Sequence, residues 1–276
     1  MEQLNVDEPK EIVPNISANV LLHFVPELRF LKTAIQKCAL FPRYCEEDIG
    51  YLRLNIGGER LVKVAYPEKC FCDIPIHEID YHTQYYGSYG IALQKKWGIL
   101  QGIQPIQYIN ANSNLIRDFR EAFSKSLEID EDNSDALQLS NYLVTHMLYI
   151  KPLHGIRKKR VSGEEVEGYF TDECEWRYVP DLTAQEMEMI LFNNHIHKKD
   201  ENDVPKIDKY NEALQDLPDT WLKFQYDDIK YITVSNQVER DELIEFILNL
   251  DNGIGQQDKM RCISKIIVLK DAQEEF

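Results

Sequence analysis

Between Tyr169 and Pro180 the chain reads Tyr-Phe-Thr-Asp-Glu-Cys-Glu-Trp-Arg-Tyr-Val-Pro, and no other stretch restricts the fold as much. Its aromatic and β-branched residues predict a strand, on which side chains alternate between two faces. Glu173, Glu175 and Arg177 then share one face, and Cys174, Trp176 and Tyr178 share the other. The expectation is a strand anchored by its apolar face, with two carboxylates and a guanidinium displayed side by side opposite. A cross-face ion pair on a half-exposed strand explains the pattern without any chemistry. A rigid strand is equally what a binding site needs to hold a carboxylate in place.

The elements around it predict an α+β fold, read as one domain over residues 1–276 with a helical insertion at about 112–149. Asn19 to Val25 is a short apolar run that reads as a buried strand, and Pro26 opens a helix carrying Leu28, Leu31, Ile35 and Cys38 at helical spacing. Two strands are expected at 60–66 and 69–74, a helix from Pro75 to Gly87, and a strand at 88–93. A short helix at 95–101 and a strand at 105–109 precede helices at 113–127 and 134–149. The acidic segment 128–132 between those helices reads as a solvated loop. Further on, Thr183 caps a short helix to Leu191, and 195–205 is a polar loop. Strands at 221–225 and 229–234, a helix at 237–250 and a strand at 263–269 complete the reading.

Charge narrows the partners. With 31 basic against 47 acidic residues the chain carries −16, which excludes a broad basic face for duplex nucleic acid. A small-molecule substrate or a basic protein partner suits such a chain better. The six cysteines at 38, 45, 70, 72, 174 and 262 form no CxxC pair, and no apolar run approaches the roughly 18 residues of a membrane span. A polar N-terminus without a signal peptide and free thiols in a reducing cytoplasm are therefore expected.

Few motifs carry chemistry. His195-x-His197 has no further ligand at a familiar metal spacing, so no metal is expected. Gly57-Gly58 and Gly87-x-x-Gly90 are too short for a phosphate loop. The basic run 157–160 fits the solvated tip of a β-hairpin as well as a polyanion contact. His23 differs, because a histidine inside an apolar strand costs solvation unless its nitrogens find partners.

Ile16 to Phe24, Pro42-Arg43-Tyr44, Cys70-Phe71-Cys72-Asp73-Ile74-Pro75, Tyr86-Gly87-x-Tyr89-Gly90, Trp97-Gly98, Lys151-Pro152 and Glu173-x-Glu175-Trp176-Arg177 occur in order. Together, over about residues 16–235, they resemble the AbiGi family. That family is named for abortive infection of phage and described as an antitoxin. Cys72 departs from the resemblance, which leads one to expect Thr there. The order of strand His, aromatic motif and late-strand Glu is similar, more distantly, to the ADP-ribosyltransferase superfamily. That resemblance implies a mixed-sheet core around an NAD cleft and NAD as cofactor. It gives His23 to the nicotinamide-side ribose or carboxamide, Tyr86 or Tyr89 to stacking on nicotinamide, and Arg177 and Lys151 to the pyrophosphate. Glu175 would polarise the ribose 2′-hydroxyl and Glu173 would orient an acceptor. Three functions are thus expected in competition: an NAD-dependent transferase or glycohydrolase, a non-catalytic antitoxin bound to a toxin, and a nucleotide sensor.

Overall fold

The computed structural model describes residues 17–270 except 129–133, 160–161, 184, 186 and 252. Its centre is a mixed sheet in the order Ile266–Val268, Ile229–Val234, Tyr89–Gln94, Val20–Val25, Lys63–Cys72, Glu175–Tyr178 and Gln104–Pro105. The first pair is parallel, and the other neighbours along this path are antiparallel. Val20–Val25 is apolar without alternation because both of its faces are covered. Leu21 enters a core that includes Leu31, Ile35, Leu243 and Ile247 from the helices Leu28–Lys37 and Gln237–Leu248. Val20, Leu22 and Phe24 enter a smaller core with Ile74, Ile79 and Ala92. Each such fully buried aliphatic side chain contributes about 1.5–3 kcal/mol.

The two strands expected at 60–66 and 69–74 are one ten-residue strand, Lys63–Cys72. Pro67 reads as a break, yet it sits where a missing N–H costs nothing. Opposite it, Tyr44 donates its own N–H to Asn211 Oδ1 at 2.7 Å rather than across the ladder. On the other edge Pro67 falls between Ala65, which pairs with Leu191, and Lys69, which pairs with Tyr178. This strand therefore serves four neighbours. Arg43–Asp48 and Leu191–Phe192 flank its first half, while Glu175–Tyr178 flanks its second and Val20–Val25 meets it at Cys72.

Other expectations need correction. Glu173 ends a short 3-10 turn, Phe170–Glu173, and Cys174 turns the chain in the left-handed region at φ 42°. The strand begins only at Glu175. Its charged face is the deeply buried one: Glu175 and Arg177 are buried, whereas Trp176 and Tyr178 are half-buried. The segment expected at 105–109 splits into Gln104–Pro105, in the main sheet, and Gln107–Ile109, paired with Ile150–Pro152. No helix follows Thr183 among the described residues; Asp181 accepts the Thr183 N–H instead, at 2.9 Å. Two polar helices, Lys206–Gln215 and Gln256–Ile263, escaped the pattern reading. The acidic segment 128–132 lies mostly outside the described residues.

Several boundaries stand as read. The helix Asp80–Tyr86 closes at Gly87, whose φ of 95° suits glycine and whose N–H bonds the Thr83 carbonyl at 3.0 Å. The helices Asn114–Ser126 and Ser134–Met147 send Ile116, Phe123, Leu143 and Met147 into a core shared with Leu52, Val64 and Tyr66. Among the described residues no helix is long and apolar enough to cross a membrane, and the six cysteines are free thiols.

Candidate functional site

Strand register assembles the centre of the site. Glu175 lies opposite Cys72 and Arg177 opposite Cys70, so both share a face with Glu68, two residues before Cys70. Arg177 spends its guanidinium there. It donates from Nε to Glu175 Oε1 at 2.8 Å, from Nη1 to the Leu148 carbonyl at 2.7 Å and to the Tyr66 hydroxyl, and from Nη2 to Glu47 Oε1 at 3.4 Å. Its Nε also lies 2.9 Å from Glu68 Oε2.

A second layer comes from residues 150–173. Lys151, on Ile150–Pro152, donates to Glu173 Oε2 at 2.8 Å and to Glu175 Oε2 at 3.1 Å. The hairpin of His154–Lys158 and Glu165–Tyr169 turns Arg157 inward, which corrects its reading as part of a solvated tip. Arg157 donates to Glu173 Oε1 at 3.1 Å and to the Tyr81 hydroxyl at 2.5 Å, and its guanidinium lies 4.1 Å from the Tyr85 ring centre. Arg160 lies outside the described residues. Tyr86 donates to Glu173 Oε1 at 2.8 Å, and the Glu175 N–H bonds the Tyr108 hydroxyl at 2.9 Å.

Four carboxylates and three cations thus interlock, and burial divides their behaviour. Burial alone would raise the Glu175 carboxyl, but Arg177 and Lys151 outweigh it and hold it down at about 2. Burial pushes Glu68 up to about 7 against the pull of Arg177, with Glu47 and Glu175 adding repulsion. The surplus carboxylate is where the proton goes. Burial draws the Lys151 ammonium down, yet Glu175, Glu47 and Glu173 lift it well above its ordinary value. Burial, then the neighbouring Glu175 and Glu68, keeps the Cys70 thiol protonated. Glu68, Cys70 and Glu175 offer donor atoms within 4.8 Å of one another, but a metal ion there would compete with Arg177 for both carboxylates.

These residues border a cavity of about 860 Å³, within the size range of ligand pockets. It opens where Arg43–Asp48 and Val20–Val25 part along Lys63–Cys72, between the Arg43–Glu68 and Leu22–Cys72 pairings. His23, Tyr86, Lys151, Glu173 and Glu175 line it. His23 bonds the Cys70 carbonyl through Nδ1 at 2.8 Å, and its ring tilts against Phe71 at 5.7 Å. Arg177 is not on the wall and is 1% exposed. Tyr89 is also elsewhere, its hydroxyl donating to Glu239 Oε1 at 2.6 Å. Sequence reasoning missed Glu68, Glu47, Arg157 and Tyr66. Glu68 left one usable trace, a carboxylate in phase with Cys70 and Cys72 along a strand.

Comparison with known proteins gives consistent results. A family model described as "Putative abortive phage resistance protein AbiGi, antitoxin" matches residues 38–235. A relative from Lactococcus lactis subsp. cremoris, named "Abortive phage resistance protein AbiGi", is 36% identical over 254 residues, covering 86% of this chain and 100% of the relative. No solved structure matches.

Proposed function

The chain belongs to the AbiGi family of abortive phage resistance proteins, and we propose that it acts as an antitoxin whose cavity senses NAD or a related nucleotide without consuming it. The satisfied state of Glu175 carries this reading. Its Oε1 takes two contacts from Arg177, at 2.8 and 2.7 Å, and its Oε2 one from Lys151. A carboxylate that must polarise a ribose hydroxyl and steady a developing cation needs free lone pairs aimed at the reacting atoms. Glu173 is likewise engaged at both oxygens. Tyr86 and Phe170 line the cavity to receive a flat ring, and Arg43, exposed on the same wall, offers a guanidinium to an anionic group.

A second reading, an ADP-ribosyltransferase-like enzyme, draws support from the shared cavity of His23, Tyr86, Glu173 and Glu175. Calorimetric titration of the purified protein with NAD, beside a nicotinamide assay, separates the two. Heat without nicotinamide release supports a sensor. Sustained release, lost in a Glu175→Gln variant that circular dichroism shows to be folded, moves the conclusion to the enzyme. Absence of binding leaves the antitoxin role standing without NAD.

A further inference from the structure

The carboxylate of Glu68 is poorly served for its depth. It lines the cavity and is 3% exposed. Its Oε1 accepts from the Cys70 thiol, a weak donor, at 3.4 Å. Arg177 Nε lies 2.9 Å from Oε2, but that N–H is directed at Glu175 Oε1, so Oε2 is buried without a hydrogen bond. The surrounding groups do not make up the deficit. Cys70 and Tyr66 face Glu68 from its own strand, and Glu175 and Arg177 from the next. Glu47 and Arg43 come from the strand Arg43–Asp48, and Tyr149 and Lys151 from the segment beyond. Of these cations Arg43 is exposed, and Lys151 spends its bonds on Glu173 and Glu175.

Four carboxylates therefore meet three cations, and a buried negative charge is costly unless something positive joins it. A proton is the smallest answer; burial, then Glu47 and Glu175, hold it on Glu68 up to about 7 against the pull of Arg177. We propose that the cavity is built for a ligand carrying a cationic group, which it seats beside Glu68 as the fourth positive charge of the cluster. Seating the cation sends the Glu68 proton to solvent. This deepens the sensor reading and rests on it: the nicotinamide ring of NAD is cationic when oxidised and neutral when reduced, so the cavity selects the oxidised form. The aromatic wall acts in the same sense, since the face of the Tyr86 ring attracts a cation. A metal ion is the poorer occupant, because the donor set of Glu68, Cys70 and Glu175 requires a carboxylate whose two oxygens already serve Arg177 and Lys151.

The test titrates the full chain at pH 6 and pH 8 with NAD and NADH. It adds 1-methylnicotinamide and nicotinamide, a cationic and a neutral ring without the nucleotide. NAD is expected to bind about tenfold or more tightly than NADH at pH 8. The preference should shrink at pH 6, where the cation must displace a proton, with a limit of about tenfold per pH unit. Calorimetry in buffers of different ionisation enthalpy should show proton release on binding NAD at pH 6, and none on binding NADH. Glu68→Gln, close in shape, is expected to abolish both the preference and the proton release. Equal binding of NAD and NADH by wild type overturns the cation seat and leaves the sensor reading standing. A preference that survives in Glu68→Gln, or that comes without proton release, overturns the seat as well. If neither dinucleotide binds, the sensor reading falls and the two rings decide: a preference for 1-methylnicotinamide that Glu68→Gln loses upholds the seat, and equal or absent binding overturns it.

Discussion

Glu68 and Glu175 flank one guanidinium, yet their carboxyls move in opposite directions, Glu68 up to about 7 and Glu175 down to about 2. Both are buried. The difference lies in company: Glu175 has Arg177 and direct bonds from Lys151, whereas Glu68 shares Arg177, feels Lys151 least, and faces two other carboxylates.

That asymmetry predicts unequal costs for two isosteric substitutions. At pH 4.5, where the folded Glu68 is protonated, Glu68→Gln replaces a neutral group and is expected to change stability by less than about 1 kcal/mol. Glu175→Gln leaves buried cations undercompensated and is expected to cost about 3–5 kcal/mol. Urea denaturation of both variants checks the ranking, and equal costs would refute the division of roles.

The same pair sets a pH dependence. The folded Glu68 binds its proton more tightly than an unfolded carboxyl near 4.5, so its contribution to stability is full below pH 4.5 and is lost as pH rises to about 7. Glu175 behaves conversely, contributing above pH 4.5 and losing its effect as pH falls towards about 2. Wild type should therefore lose stability relative to Glu68→Gln between pH 4.5 and 7, with a limiting slope of about 1.4 kcal/mol per pH unit. Parallel stability curves for the two proteins across that window would contradict this.

Two tyrosines close in sequence should separate in a binding assay. Tyr86 lines the cavity, while Tyr89 bonds Glu239 outside it. Tyr86→Ala is expected to weaken NAD binding about tenfold or more, the scale of one lost contact of about 1.4 kcal/mol. Tyr89→Phe should leave the affinity unchanged by calorimetry.

Arg157 ties the hairpin to Glu173 and Tyr85, and its side chain is nearly inaccessible. Arg157→Met leaves Glu173 with Lys151 and Tyr86 and is expected to cost about 1.5–3 kcal/mol, the scale of a lost hydrogen bond to a charged group. The loss should be local. Amide exchange in residues 154–169 is expected to accelerate while the strand 20–25 keeps its protection.

Much of the fold was legible because local signals agreed with tertiary context. The apolar run before Pro26, the spacing of Leu31 and Ile35, and the glycine closing Asp80–Tyr86 each specified an element unaided. The strand at Glu175 was misread for a physical reason. Alternation assigns charge to solvent, whereas here the charged face is inward because Lys151, Glu68 and Glu47 arrive from distant segments to neutralise it. Single-chain periodicity carries no trace of such partners. Pro67 is tolerated for an equally distant reason: the opposing Tyr44 bonds Asn211 through both its N–H and its C=O, so no acceptor there waits for the N–H that proline lacks.

The shared contacts of Lys151 with Glu173 and Glu175 constrain how this family can diverge. A lineage that discards one of the three residues leaves an unmatched charge in a buried place until a second replacement follows. These positions are therefore expected to be inherited as a block, changing together or not at all.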